Sequence, residues 1–473
     1  SWGGILCDLV ILNTEPRSYL MPLQQELKSL RERYASETGA DAARAGGLYV
    51  QFVGDVTEPE RVVLRLLARL YLHADGRPLT QQVRELGEWH NAALDGRQTV
   101  PVSTPPDLRQ AAEMGLPEGR FGVDDGSFAF EVSDAQQPAR PWINVLANPE
   151  FGAHISEAGS GYSWAGNSRL HQLTVWSNDP VSDPGGETFW LQNLRTREVW
   201  NVGAGAGRAR TTYAITHGQG VTELRHRHGD LEVVARWCVD AGQPLKHVHI
   251  AVHNHGAQSA QLRVLGVLEW VMGAQRLDRQ SVLTSHTTLR AAEGTAAQDT
   301  DVLLATQRDD QAGFGGSTAF VVLGRSGAPD ARLSDWTCDR REMFDKRGQR
   351  AVPDRLAARA GAGLDPCAAA SVLLDVAPAQ SAQCTFVLGH GATRAEALAL
   401  AGRCLETAAF EREAASQAHW HNLLGAVTVR TPDPLFDALT NRWLLYQSVA
   451  CRLWARSGFY QAGGAFGFRD QLQ

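Results

Sequence analysis

Three stretches settle the fold class: LEVVARWCV (residues 231–239), HVHIAV (247–252) and LRVLGVLEW (262–270). None has the three-to-four spacing of an amphipathic helix. Each is a short apolar or alternating run rich in β-branched residues, which is the pattern of a strand. Outward from them the same texture recurs at Ser127–Val132, Glu187–Leu191, Val302–Thr306, Ala319–Leu323 and Cys384–Leu388, with Gly, Asn, Asp and Pro between the runs. Many short strands separated by turn residues predict a large β-sandwich over residues 119–389.

The flanks read differently. Residues 1–112 have a β-α-β-α texture. A strand at Ile5–Leu12 is followed by a helix with Leu20, Leu23, Leu27 and Leu30 on one face. A second strand at Leu48–Val53 is followed by Thr57 and Glu60, which can close a capping box on a helix over Val62–Leu72. After the sandwich, Thr393 and Glu396 open an Ala/Leu-rich helix, giving a helical linker over 390–426. In the last segment, 427–473, Asp433 can cap a helix with Pro434 at its first position. That helix carries Leu435, Leu439, Trp443, Tyr446, Ala450 and Trp454 on one stripe, and a glycine-rich loop from Ser457 to Gly467 follows. One helix cannot bury its stripe alone, so further helices are expected to pack on it.

Composition narrows the function classes. The chain has 473 residues, 43% hydrophobic and 21% charged, with a formal net charge of −7. No Lys/Arg block is present, so nucleic acid is not an expected partner. The seven cysteines are scattered, odd in number and without a C-x-x-C, which fits reduced thiols and a cytoplasmic location. No apolar run approaches 18 residues, so no membrane contact is expected from this segment itself. His226 and His228, and His247, His249, His253 and His255, cluster on strands, where a satisfied sheet face explains them better than a metal site. No metal and no cofactor are expected. Gly203-Ala204-Gly205-Ala206-Gly207 lacks the spacing of a dinucleotide loop. Gly161-Tyr162-Ser163-Trp164-Ala165 lacks the final glycine of a nucleophile elbow.

Two segments carry sugar-binding chemistry. At the end of the chain Phe459, Tyr460, Phe466 and Phe468 offer stacking faces among glycines. Arg469 and Asp470 offer a fork of donors beside a double acceptor, suited to vicinal hydroxyls. A structural Arg–Asp pair in an interhelical loop is the competing reading. Earlier, Tyr162 and Trp164 offer stacking faces, and Asn167 and Arg169 offer hydrogen bonds to hydroxyls; turn and core chemistry is the alternative there.

The run Gly463-Gly464-Ala465-Phe466-Gly467-Phe468-Arg469-Asp470-Gln471-Leu472-Gln473 resembles the glycoside phosphorylases that include cellobiose and chitobiose phosphorylases. It is most similar to the phosphorylase region of cyclic β-1,2-glucan synthases. Pro141–Pro149, Ser160–Arg169 and Trp176–Pro180 resemble the N-terminal sandwich of the same family.

The resemblance implies a multidomain, mainly β chain. Its parts would be a small α/β module, a large galactose-mutarotase-like β-sandwich, a helical linker and the first helix of an (α/α)6 barrel. It implies that Arg469 and Asp470, with Phe468, Tyr460 and Gln471, hold the glucosyl unit of a β-glucan oligosaccharide. It also implies inverting phosphorolysis with inorganic phosphate as co-substrate. Catalytic residues are expected beyond residue 473, so none is assigned here and the chain alone is expected to be inactive. The disaccharide phosphorylases carry a further sugar-binding Arg a few residues upstream; Gly463-Gly464-Ala465 stands there instead, which favours a longer glucan. A parent protein at the cytoplasmic face of the bacterial inner membrane and a homodimer through the sandwich are further implications. A non-catalytic carbohydrate-binding or regulatory sandwich, or a domain with no sugar role, are the rival classes.

Overall fold

The computed structural model describes residues 8–16, 19, 21–38, 47–68, 70–95, 99–102, 115–179, 183–290, 299–310, 313–324 and 333–456. The chain divides into two units, Ser1–Gly87 and Glu88–Gln473.

In the first unit β1 (Leu9–Asn13) and β2 (Leu48–Phe52) pair in parallel, joined through α1 (Pro22–Thr38). A crossover helix is what a parallel pair requires. The next helix, α2 (Glu58–Leu67), opens as expected: Glu60 N donates to Thr57 Oγ1, and the Glu60 carboxylate accepts from Thr57 N at 2.8 Å. It ends at Leu67, five residues before the expected Leu72, because Ala68 is extended (φ −67°, ψ 120°). None of its residues is buried, so no packing offsets the cost of prolonging a ten-residue helix. A third helix, α3 (Leu79–Asp95), was not foreseen; the side chain of Gln82 near its start bonds His73 N and O.

The second unit is mainly β. Its strands begin with β3 (Thr99–Pro101), β4 (Arg120–Phe121), β5 (Phe128–Val132), β6 (Asn144–Ala147), β7 (Phe151–Ile155), β8 (Gly161–Ala165) and β9 (Gln172–Thr174). There follow β10 (Glu187–Asn193), β11 (Val199–Asn201), β12 (Tyr213–His217), β13 (Val221–His228), β14 (Leu231–Val239), β15 (Leu245–Asn254) and β16 (Ala260–Gly273). The series ends with β17 (Val282–Leu289), β18 (Thr300–Gln307), β19 (Thr318–Gly324), β20 (Leu333–Asp339), β21 (Ala351–Pro353), β22 (Pro366–Val376) and β23 (Ser381–Gly391). Thr99–Pro101, inside the 1–112 module as read from sequence, pairs with β21 in this unit.

Two large antiparallel sheets result. Among the described residues one runs β17-β18-β19-β23-β15-β14-β13-β12-β5-β4. The other runs β11-β10-β16-β9-β8-β7-β6, with β22 on β16 and β20 on β22. Their facing side chains, among them Phe151, Leu191, Trp237, Ile250, Val264, Trp270 and Phe386, form the main core. Helix α4 (Arg394–Cys404) covers the outer face of the ten-stranded sheet through Ala397, Leu400, Ala401 and Cys404. At its start Thr393 Oγ1 accepts from Glu396 N at 3.2 Å, but the Glu396 carboxylate reaches Ala392 N, one residue before the expected partner.

One polar cluster sits within this apolar interior. Lys246 of β15 and Glu187 of β10 form an ion pair with side chains only 1% and 2% exposed, joining the two sheets. The other carboxylate oxygen of Glu187 accepts from Ser163 Oγ of β8 (2.8 Å) and Thr174 Oγ1 of β9 (2.7 Å). Burial pushes the Lys246 ammonium below its ordinary pKa, and the Glu187 charge opposes that shift. Removing one partner leaves an uncompensated buried charge, which costs about 3–5 kcal/mol. Glu187→Ala is therefore expected to lower the stability of the second unit by that amount in urea unfolding. Glu187→Leu combined with Lys246→Met is expected to recover most of it. A loss below about 1 kcal/mol for the single variant contradicts the assignment.

Candidate functional site

The candidate site is the junction between the outer face of β6–β8 and the helices that close the chain. Helix α5 (Ala409–Leu424) brings Trp420 and Leu424 to it. A longer helix follows over 434–454, made of α6 (Pro434–Ala438), a π-helical stretch Leu439–Trp443, α7 (Leu444–Gln447) and a second π-helical stretch Ser448–Trp454. Asp433 caps it: its Oδ1 accepts from Leu435 N (2.9 Å) and Phe436 N (3.2 Å), and Pro434 occupies the first turn. Of the sequence stripe, Tyr446 and Ala450 are fully buried against Val145, Ala147, Tyr162 and Trp164, with Trp443 and Trp454 half-buried beside them.

Tyr446 is the hub. Its hydroxyl donates to Val145 O at 2.7 Å, with a longer arm to Asn144 Oδ1 at 3.0 Å, and accepts from Gly220 N at 3.3 Å. Asn144 is held in turn by Gly218 O (2.9 Å) and Thr222 Oγ1 (3.0 Å), which accept from its amide. Trp420 stands edge-on to Tyr446 at 4.5 Å and lies 4.9 Å from Trp454. Gly220 (φ +79°) is required there, since a Cβ would fall 2.5 Å from the Trp420 ring.

Of the nine residues expected to meet a sugar, Tyr460, Phe468, Arg469, Asp470 and Gln471 lie outside the described residues. The other four are placed. Tyr162 and Trp164 are each 3% exposed. Tyr162 stacks on Trp176 at 5.0 Å, with its other neighbours His154 at 4.7 Å and Trp164 at 5.3 Å. Their faces are occupied by protein. Asn167 closes a turn, accepting from Arg169 N (3.0 Å) and Leu170 N (2.9 Å), and Arg169 is exposed.

The functional consequence of this loop comes through Ser168, a residue the sequence reading passed over. Its carbonyl accepts from Tyr162 Oη at 3.1 Å, and its hydroxyl donates to Ala455 O in a short hydrogen bond. Ala455 is two residues before Ser457, where the glycine-rich loop begins. The sandwich thus holds the chain two residues before that segment. The only signal in sequence is that Ser168 lies in a family-like segment; no spacing rule would select it.

Four titratable groups here are held neutral near pH 7. Burial lowers His154 to about 3 and raises the Cys451 thiol to about 12; it also raises Tyr162 and Tyr446. These groups therefore serve positioning rather than proton transfer. Of the histidines on β15, His247 lies under α5 facing Glu413 Oε1 at 3.3 Å, His249 bonds Thr385 and His253 bonds Ser381. No group of three or more potential metal ligands is found among the described residues. The six described cysteines are free thiols.

Tyr446→Phe removes a hydrogen-bond partner from three polar groups, Val145 O, Asn144 Oδ1 and Gly220 N, a loss of about 1–3 kcal/mol. Trp420→Ala opens a cavity costing about 3–5 kcal/mol. Both are expected in urea denaturation, and limited proteolysis is expected to release the 434–454 helix first. Equal protection of that helix in both variants and the parent chain would contradict the hub.

Elsewhere in the unit Glu157 accepts from Trp142 N at 2.9 Å, and burial pushes its carboxyl up to about 8. A carboxyl raised in the fold binds more protons there than in the unfolded chain, so its contribution is present at low pH and lost as pH rises from about 4.5 to about 8. Glu157→Gln is expected to flatten the decline of stability over that window; an unchanged pH profile counts against it.

Residues 127–407 match the glycosyl hydrolase 94 supersandwich domain, and residues 419–473 match the glycosyl hydrolase 94 superfamily catalytic domain. Cyclic beta-(1,2)-glucan synthase NdvB of Rhizobium meliloti (strain 1021) is 30% identical over 492 residues, which cover 99% of this chain and 17% of that protein. N,N'-diacetylchitobiose phosphorylase of Vibrio furnissii is 24% identical over 75% of this chain and 44% of its own length. The chain therefore spans less than half of these relatives. Among solved structures, a bacterial glucoamylase complexed with acarbose aligns over 76% of this chain and 43% of its own, with 9% identity and a TM-score of 0.40. With its supersandwich match alone covering more than half its length, the chain belongs to the glycosyl hydrolase 94 family.

Proposed function

We propose that the chain contributes the sandwich and the opening of the catalytic domain to a glycoside phosphorylase acting on β-1,2-glucans, in the setting of a cyclic β-1,2-glucan synthase where it controls chain length. The observation that carries this reading is the likeness to the Rhizobium meliloti synthase along 99% of the chain. The anchoring of Ala455 supports it, because it fixes the chain two residues before the glycine-rich segment that leads in sequence to Phe468-Arg469-Asp470.

In this reading Arg469 donates its planar fork, and Asp470 accepts, on vicinal hydroxyls of the terminal glucosyl unit, with Tyr460, Phe468 and Gln471 around them. They hold and orient the ring. Inorganic phosphate attacks the anomeric carbon from the opposite face while a carboxylic acid protonates the departing oxygen, so the configuration inverts. Neither Arg469 nor Asp470 is assigned the acid. Activity is therefore expected only where the acid and the phosphate-binding groups of the catalytic domain are also present. Further helices of that domain would cover the outer side of helix 434–454, where Phe436 (50%), Leu444 (57%) and Leu453 (51%) stand exposed. No described helix is long and apolar enough to cross a membrane. The synthase reading places any spanning segment in another part of the parent protein.

In the complete protein, Arg469→Ala and Asp470→Ala are each expected to weaken β-1,2-gluco-oligosaccharide binding about 10- to 100-fold, the worth of one charge-assisted hydrogen-bonded contact. Unchanged affinity would overturn the sugar-holding role. The 473-residue chain alone, given the same oligosaccharides and phosphate, is expected to release no glucose 1-phosphate; release above background would place the acid within it.

A further inference from the structure

The closing helix ends at a point of backbone strain. Ala455 still belongs to the helix end: its N donates to Ala450 O at 2.9 Å, and the residue is 3% exposed. The next residue, the half-buried Arg456, adopts φ +52°, in the left-handed region. There the β-carbon of an L-residue crowds the carbonyl oxygen that follows it. Helices commonly stop on a left-handed residue, and that residue is usually glycine. Gly458 stands two positions further on, yet the reversal falls on Arg456. A glycine would make the same turn without strain, so ending the helix does not by itself call for a side chain here.

Strain of this kind persists only where the surroundings enforce it. The enforcing contact comes from the sandwich. Ser168, 1% exposed, gives its hydroxyl to Ala455 O. That carbonyl shares a rigid peptide plane with Arg456 N, so the bond fixes the plane from which Arg456 turns. Ser168 is itself held on both sides. Its carbonyl accepts from Tyr162 Oη at 3.1 Å. Around it His171 N donates to Asn167 O at 3.1 Å and Ala165 N to His171 O at 3.3 Å. His171 Nδ1 faces Ala165 O at 3.0 Å and therefore carries the proton, which leaves Nε2 to accept from Ser317 Oγ at 3.2 Å. Phe314 lies flat on the imidazole at 4.0 Å. Burial lowers the His171 pKa to about 4, so the ring stays neutral and keeps this pairing near pH 7.

We propose that Arg456 is a positioning residue for the glucan site: its narrow left-handed backbone well, set by the Ser168 bond on the preceding peptide plane, holds Arg469 and Asp470 where the rest of the catalytic domain needs them. The inference rests on the sugar-holding reading of that pair. Its physical basis is preorganisation. A residue with a β-carbon has one small left-handed well, whereas glycine moves through a broad range, and that freedom has to be lost when the glucan binds.

The test sets Arg456→Gly against Arg456→Ala. Both remove the same side-chain contacts, and they differ only in the β-carbon. In urea unfolding of the 473-residue chain, Arg456→Gly is expected to have the higher midpoint, the reverse of the order inside a helix. In phosphorolysis of β-1,2-gluco-oligosaccharides by the complete protein the order is expected to cross. Arg456→Gly raises KM about fivefold with kcat nearly unchanged, and Arg456→Ala recovers most of that loss. A residue that merely supported the fold would move stability and KM together. Ser168→Ala is expected to raise KM in the same way, and an unchanged KM there overturns the proposal. Equal KM values for Arg456→Gly and Arg456→Ala, or a lower urea midpoint for Arg456→Gly, also overturn it. Arg469→Ala separates the two levels. If it raises KM while the two Arg456 variants bind alike, the positioning role alone fails; if it leaves KM unchanged, the sugar-holding reading fails and the positioning role falls with it.

Discussion

The ion pair between Lys246 and Glu187 is the constraint around which the sandwich is arranged. Strand β16 pairs with β10 over Leu262–Leu268 and then with β9 at Trp270 and Gly273, with a shift in register between those two positions. Glu187 starts β10 and Thr174 ends β9, so the carboxylate sits where β16 changes partners. By accepting from Ser163 and Thr174 it ties β8 and β9 to β10, and through Lys246 it ties all three to the ten-stranded sheet. Apolar packing alone tolerates slippage, because one hydrophobic contact substitutes for another at small cost. A buried charge does not, since any displacement leaves it uncompensated. Fixing this point fixes β6–β8, and the outer face of β6–β8 is the seat of the closing helices.

From that seat the order passes outward through polar contacts of high directionality. Asn144 and Val145 O receive the Tyr446 hydroxyl, Gly220 leaves room for Trp420, and Ser168 receives the end of the helix. Each is a single contact between residues far apart in sequence: Tyr446 and Asn144 are separated by 302 positions, Ser168 and Ala455 by 287. An arrangement of this kind transmits position. Tyr162, Tyr446, His154 and Cys451 are held neutral by burial, and the aromatic rings pack on one another, so these groups serve positioning.

Legibility in the sequence followed exposure. Strand β14 was readable to the residue at Leu231–Val239 because its burial alternates along most of its length. Strands β6, β7 and β8 were not, because every residue in them is buried and no period-two signal remains. They lie between the main core and the closing helices, so polar residues such as Asn144, His154 and Ser163 occupy interior positions. Tyr162 and Trp164 are ambiguous in sequence. An aromatic pair among glycines suits a pyranose or another aromatic ring equally well, and here Trp176, His154 and the closing helices are the occupants. The helix stripe was legible from Leu439 to Trp454 because its periodicity is strong, whereas Leu435 at its start is 45% exposed. Nothing in the sequence around Lys246 announces a partner 59 positions away.

The two halves of the closing helix therefore have different roles. The face bearing Tyr446, Ala450 and Trp454 is spent on the sandwich, while Phe436, Leu444 and Leu453 remain exposed on the other side. A helix with two apolar faces is a hinge plate between layers, since it is stable only when both are covered. Its π-helical stretches suit that position. A π turn rotates the following residues relative to an α-helical register, and two of them within 434–454 let one helix serve two surfaces whose stripes do not follow one 3.6-residue repeat. The last of these turns and the Ser168 clasp together set the position of Ala455. The sandwich thereby fixes the chain as far as Ala455, two residues before the glycine-rich segment.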